Sequence, residues 1–321
     1  MLSVIVPSYN EHENIKNTSQ TISSILDAQS IPFELIFVDD GSKDSTWEEI
    51  TSAAKENGRV RGVRFSRNFG KEGAIFAGLK SASGECAVLI DCDLQHPPQL
   101  IPKMYRMWES GVKIVEARKS SRGKEGILHR LFAKCFYKIM DSSSGIDLDG
   151  ASDFKLMDRQ VVDALCEMPE RMTFFRALSG WVGFSTERIE FDVQPRAAGK
   201  TKWSFGKLFR FAVNSITSFT SFPMHMITLI GVVFGIFAVI LGVQTLFNYF
   251  CGGAQAGFST VILLILILGA CVMVGIGIIG FYLSKIYEEI KHRPRYIISE
   301  RVNPYTNEKE NGSATKADKN M

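Results

Sequence analysis

Short apolar runs open the chain and alternate with longer stretches of helical period. Leu2-Ser3-Val4-Ile5-Val6-Pro7, Phe33-Glu34-Leu35-Ile36-Phe37-Val38, Val60 to Phe65 and Ala87-Val88-Leu89-Ile90 read as buried strands. Between them Asn14 to Ala28, Ser45 to Asn57 and Lys71 to Ala82 carry their apolar residues at helical spacing. Strand and helix in repeated alternation predict an α/β fold, a Rossmann-like, doubly wound and mostly parallel sheet. In such a sheet ligands collect at the carboxyl ends of the strands. A further strand-like run begins after Ala151-Ser152-Asp153, beyond a small, polar, Gly-containing loop.

The pattern then changes. From Phe211 through Ser284 there is no Asp, Glu, Lys or Arg, a stretch too long for a buried core helix. Gly252, Gly253 and Gly257 divide it into two apolar spans, 226–250 and 260–283. Each exceeds the ~20 residues needed to cross a ~30 Å hydrocarbon core, which predicts a two-helix transmembrane hairpin. Lys200, Lys202, Lys207 and Arg210 precede it and Lys285, Lys291, Arg293 and Arg295 follow it, whereas the connecting loop is uncharged. The positive-inside bias puts the catalytic part and both termini in the cytoplasm. Met1 runs almost directly into the first strand, so no cleavable signal is expected. The expected order is a cytosolic domain at 1–202, an amphipathic interfacial segment at 203–225, the hairpin at 226–283, a juxtamembrane segment at 284–302 and a disordered tail at 303–321.

Composition adds little to this picture. The formal net charge of +3 over 321 residues says little about partners, and nucleic acid is not among those expected. Cys86, Cys92, Cys135, Cys166, Cys251 and Cys271 lack Cys-x-x-Cys spacing and fit a reduced compartment. Chemistry concentrates at two strand ends. Asp91-Cys92-Asp93-Leu94-Gln95-His96-Pro97-Pro98 sets two carboxylates at spacing two, hard oxygen ligands for Mg²⁺ or Mn²⁺ that could hold a diphosphate. Alone, such a pair is more often a solvated turn. Asp39 and Asp40, before Gly41-Ser42, stand where a nucleotide's base and ribose would sit, or are the caps of an Asp-Gly-Ser turn. Basic residues cluster between Lys113 and Lys138 and again from Pro195 to Arg210, the second run interleaved with Trp203, Phe205, Leu208 and Phe209 as at a lipid interface.

Pro7-Ser8-Tyr9-Asn10-Glu11, Val38-Asp39-Asp40-Gly41-Ser42, Arg67-Asn68-Phe69-Gly70-Lys71 and Asp91-Cys92-Asp93-Leu94-Gln95 resemble, in order and spacing, the motifs of family 2 inverting glycosyltransferases. The resemblance covers about Leu2 to Ile298 and is strongest to the polyprenyl-phosphate branch, the dolichyl-phosphate mannose synthase and bactoprenol glucosyltransferase group. It implies a GT-A-type catalytic domain and a Mg²⁺ or Mn²⁺ cofactor at Asp93 and Gln95. It implies donor contacts from Pro7, Tyr9, Glu11, Asp39, Asp40, Lys71 and Asp91, and catalytic carboxylates at Asp153 and Asp91. Arg118, Arg122, Arg196 and Lys200 would cradle the acceptor phosphate. Because a phosphate with a second pKa near ~6 is already largely ionised, Asp153 could orient the acceptor rather than deprotonate it. His96 departs from the pattern, since many relatives carry Asp there; this puts the surroundings of the metal in question, not its ligands.

The expected activity is inverting transfer of a hexose from a nucleotide-sugar, UDP-glucose first and GDP-mannose as the alternative, to undecaprenyl or another polyprenyl phosphate. A homo-oligomer is left open. A processive polysaccharide synthase would carry Gln-x-x-Arg-Trp and usually more membrane helices, and the chain lacks that motif. A non-enzymatic nucleotide sensor would have lost Asp93 or Asp153, and a dinucleotide-binding dehydrogenase would show Gly-x-Gly-x-x-Gly after the first strand.

Overall fold

The computed structural model describes residues 1–119, 151–168, 174–191, 222–250 and 258–303. The described residues form one sheet of eight strands: β1 Leu2–Ser8, β2 Phe33–Asp39, β3 Val60–Phe65, β4 Cys86–Leu89, β5 Ile114–Lys119, β6 Lys155–Asp158, β7 Thr186–Phe191 and β8 Ile298–Val302. Their order is β7-β5-β6-β4-β1-β2-β3-β8. β1 pairs in parallel with β2 and β4, β2 with β3, and β5 with β7. β6 runs antiparallel between β4 and β5, and β8 antiparallel along β3, so the sheet is mixed but mostly parallel. Helices α1 His12–Ala28, α2 Thr46–Glu56, α3 Lys71–Ser81, α4 Ile101–Glu109, α5 Arg159–Glu167 and α6 Phe175–Trp181 accompany it.

β1 and β2 are apolar on both faces because helices cover both. Leu2, Val4 and Val6 join Ile15, Ile22 and Leu26 of α1, Trp47 and Ile50 of α2, and Met104 of α4 in one core. Ile5, pointing the other way, meets α3 at Gly78, where an added Cβ would lie 2.2 Å from Ile5 Cγ2. Each such fully buried Leu, Ile or Phe contributes about 1.5–3 kcal/mol relative to exposure. The chain passes from β3 at one side of β1 to β4 at the other, so the order reverses between β1 and β4. At such a switch point the carboxyl ends of the strands leave a crevice.

The described residues fall into two compact units, the sheet with α1 to α6, and two long helices, α7 Phe222–Phe250 and α8 Phe258–Ile290. Gly275 of α8 faces Ile227 of α7, with its notional Cβ at 3.4 Å from Ile227 Cγ2. Among the described residues one stretch, Ile267–Ile290, is long and apolar enough to cross a membrane; Leu229–Gln244 is apolar but shorter. The expected pair of spans therefore meets two helices, of which one passes that test. Residues 284–302, expected as one juxtamembrane segment, instead divide between the end of α8 and strand β8, which returns to the sheet. Polar Ser299, Glu300 and Arg301 hid this strand, and pairing with β3 supplies the backbone partners that make it one. The interfacial segment lies outside the described residues apart from 222–225, which belong to α7, and 304–321 of the tail also lie outside them.

Candidate active site

Two loops at the switch point are tied together by backbone amides. Asn10 N–H donates to Ser42 Oγ at 2.9 Å, Glu11 N–H to Thr46 Oγ1 at 2.9 Å, and Lys43 N–H to Asn10 Oδ1 at 3.0 Å. Pro7 is half-buried near the end of β1, ahead of the buried Ser8, and Tyr9 and Glu11 sit half-buried in this joined rim. Asp39, wholly buried at the end of β2, accepts the Ser42 N–H on Oδ1 at 2.9 Å, while its Oδ2 has no hydrogen bond. Burial pushes its pKa up, against the pull of Ser42 and Arg64. Asp40 is committed to the protein itself. It accepts the N–H of Phe69 at 2.6 Å and of Gly70 at 2.9 Å, clamping the loop that leads into α3. Both carboxylate oxygens are thereby engaged with backbone amides of the β3–α3 loop rather than with its own Asp-Gly-Ser turn.

The acidic motif follows β4 directly. Thr18 Oγ1 of α1 donates to the Cys92 carbonyl at 2.7 Å, and Gln95 N–H donates to Asp93 Oδ1 at 3.1 Å across a turn in which Leu94 takes φ 52°. Asp93 and Gln95 thus share one turn at the mouth of the crevice. His96 lies beneath Asp91, 6 % exposed, stacked on Phe154 at 5.3 Å and edge-on to Phe191 at 5.5 Å, with Nδ1 3.8 Å from Asp91 Oδ2. An Asp at that position would lose both ring contacts.

Asp153 reaches the same place by the antiparallel run of β6. Cys86 pairs with Asp158 and Val88 with Leu156, and continuing that register sets Asp153 opposite Asp91. Between them lies Lys71, the first residue of α3, whose Nζ is 2.6 Å from Asp91 Oδ1 and 2.7 Å from Asp153 Oδ2. Arg176 of α6 grips Asp153 from the other side, Nε to Oδ1 at 2.7 Å and Nη2 to Oδ2 at 3.0 Å. Desolvation opposes every one of these charges, yet the pairing prevails. Lys71 is held above the ordinary lysine range by Asp153 and Asp91, Asp153 well below the carboxylate range by Lys71 and Arg176, and Asp91 below it by Lys71 and His96. Glu72 is the exception. Burial first, then nearby Asp153, pushes its carboxyl up to about 7, although it accepts the Phe175 N–H at 2.8 Å.

Of the four expected acceptor-phosphate residues, Arg118 alone lies among the described residues. It stands at the end of β5 with Nε 2.8 Å from Glu116 Oε2. The neighbouring Ala117 bonds to Ser152 Oγ through its carbonyl and to the Phe154 carbonyl through its N–H, bracketing Asp153. Arg122, Arg196 and Lys200 lie outside the described residues.

The chain matches the family model described as glycosyl transferase family 2 over residues 3–166. It is 38 % identical over 299 residues to a prophage bactoprenol glucosyl transferase homolog of Escherichia coli, covering 92 % of this chain and 98 % of that protein. The chain belongs to glycosyl transferase family 2. An uncharacterized glycosyltransferase of Synechocystis is 36 % identical over 301 residues, covering 93 % and 95 % of the two chains. A solved glucosyl-3-phosphoglycerate synthase of Mycobacterium tuberculosis is 21 % identical, with a TM-score of 0.45 over 68 % of this chain and 80 % of that one.

In this family 2 glycosyltransferase Asp91, Lys71 and Asp153, each singled out from the sequence, meet at one point, and Arg176 and Glu72, which were not singled out, join them. Glu72 directly follows the Arg67-Asn68-Phe69-Gly70-Lys71 motif, which is the signal that points to it. Arg176 follows Thr173-Phe174-Phe175, a stretch with no chemical signature of its own.

Proposed function

We propose that this glycosyltransferase moves a hexose, with inversion, from UDP-glucose to undecaprenyl phosphate at the cytoplasmic face of a membrane crossed by α7 and α8. The observation that carries the chemistry is the chain Asp91, Lys71, Asp153, Arg176 at the switch point, with contacts of 2.6 to 3.0 Å. The glucosyl donor and lipid acceptor are supported by bactoprenol glucosyl transferases that match nearly end to end, one of them from Shigella phage SfV at 37 % identity over 92 % of this chain and 97 % of that protein. The membrane hairpin is supported by the apolar surface of the two helices, where Val239 and Met273 are 67 % and 68 % exposed.

A carboxylate and a side-chain amide oxygen in one short turn are among the oxygen donors that Mg²⁺ or Mn²⁺ takes when phosphate oxygens and waters complete its shell. Asp93 with Gln95 would hold such an ion, which when bound neutralises charge on the departing diphosphate. Asp39, with Tyr9 and Glu11 on the joined rim, would receive the nucleoside. Lys71, charged and at the start of α3, stands where negative charge grows as the donor bond breaks. Asp153 is held ionised by two cations and is a weak base, and the acceptor phosphate needs none; its work is to fix the attacking oxygen in line with the anomeric carbon. Arg176 keeps that carboxylate in one orientation. Arg118, Arg122, Arg196 and Lys200 would hold the phosphate itself.

The test is a donor panel with purified full-length protein and undecaprenyl phosphate. UDP-glucose is expected to yield a lipid-linked glucose of inverted anomeric configuration, and excess chelator to stop it. Preference for GDP-mannose would move the assignment to a mannose synthase. No lipid-linked sugar from any donor would overturn the proposal.

A further inference from the structure

A line of charged side chains runs from the proposed nucleotide site to the edge of the sheet. Asp39 on β2 is the direct cross-strand partner of Arg64 on β3, and Arg64 is the direct partner of Glu300 on β8. Direct partners on one face bring their side chains within reach of one another. Here all three meet: Arg64 Nε lies 3.4 Å from Asp39 Oδ2, and Arg64 Nη1 donates to Glu300 Oε1 at 2.9 Å. The other oxygen of Glu300 accepts from Trp47 Nε1 at 3.0 Å, and the Trp47 ring lies 5.7 Å from the Arg64 guanidinium carbon. Arg64 is thus held from outside by a strand that the chain enters only after the long apolar helix α8.

The separation at the inner end matters. At 3.4 Å the guanidinium supports the buried charge of Asp39 without giving Oδ2 a hydrogen bond. An ionised, buried carboxylate oxygen lacking a donor is costly for the protein alone and strongly favours a ligand that brings one. We propose that Glu300 is a positioning residue for nucleotide recognition. By holding Arg64 against Trp47 it keeps the guanidinium near Asp39 while leaving Oδ2 open to a ring N–H or ribose hydroxyl of the nucleoside. This rests on the reading of Asp39 as a nucleotide contact. Freed of Glu300, the guanidinium either closes on Oδ2 and competes with the ligand, or swings to solvent and withdraws its support; both weaken binding.

Calorimetric titration of UDP and of GDP, with Mg²⁺ or Mn²⁺ present, into the full-length solubilised protein tests the relay. The parent is expected to bind one of them, and Glu300→Ala to weaken that binding about three- to fivefold, the scale of a half-exposed ion pair. Arg64→Ala weakens it as well. In the Arg64→Ala background the Glu300→Ala change is expected to do nothing further, whereas a merely structural loss at the edge strand would add in full. In turnover the donor KM rises and the acceptor KM does not. Equal affinity of Glu300→Ala and parent, or full additivity of the two changes, overturns the relay. A parent chain that binds neither nucleotide overturns the reading of Asp39 beneath it.

Discussion

Removing the guanidinium of Arg176 tests the site most directly, because that residue was invisible before the fold placed it. Asp153 is 10 % exposed and is held by Arg176 through two bonds, at 2.7 and 3.0 Å, and by Lys71 through a third at 2.7 Å. Breaking a fully buried ion pair costs about 3–5 kcal/mol, and a hydrogen bond to a charged group is worth roughly 1.5–3 kcal/mol. Arg176 is 36 % exposed and Lys71 remains in Arg176→Ala, so the lower range applies. If Asp153 must hold its orientation in the transition state, kcat/KM falls by about one to two decades. Arg176→Lys keeps the charge but loses the two-pronged grip, and recovers only part. The pH profile carries a second signature. Burial alone would raise Asp153, while Lys71 and Arg176 hold it well below the carboxylate range; without Arg176 it climbs back. The acid limb of kcat/KM should therefore move to higher pH than in the parent. The assay is steady-state sugar transfer from about pH 3 to about pH 8 with lipid phosphate varied at saturating donor, the acceptor's own titration being common to both enzymes. Parental kcat/KM with an unmoved acid limb would refute the argument. So would a loss that adds fully to that of Asp153→Asn.

Glu72, pushed up to about 7, binds a proton in the folded state that the unfolded chain releases near ~4.3, so its stabilising share is complete below that value and is lost as pH rises through 7. Glu72→Gln keeps an oxygen for the Phe175 N–H and removes this loss; it should melt above the parent at about pH 8 and converge with it on acidification, and parallel melting curves would contradict that. Gly41 has φ +67°, and a Cβ there would lie 2.4 Å from the Arg67 carbonyl carbon, so Gly41→Ala should lower the melting temperature and displace Asp39 and Asp40. Backbone strain of that kind costs about 1–3 kcal/mol before the clash is counted, and an unshifted melt would show the loop has room after all. In a chain cleared of its native cysteines, Gln255→Cys should react with an impermeant reagent from outside the cell and Asn311→Cys should not; the reverse would invert the proposed topology.

The sequence by itself determined the local features. Short continuous apolar runs and helical patterning marked β1 to β4 and α1 to α3 to within a residue or two, because strands covered on both faces and helices covered on one leave those patterns in the local sequence. It also marked Asp39, Asp91 and Asp93 as strand-end acids, because a doubly wound sheet always presents those ends to its crevice. It could not say which of two adjacent acids clamps a loop. Asp40 closes on Phe69 and Gly70, some thirty residues on, and only the packed β3–α3 loop brings those amides within reach. β8 likewise becomes a strand only when β3 offers it an open edge. The meeting of Asp91, Lys71, Asp153 and Arg176 was decided by tertiary structure alone. It depends on β6 running antiparallel to β4 in one register and on α6 arriving beside it, and a register is set by the global fit of side chains rather than by any local period.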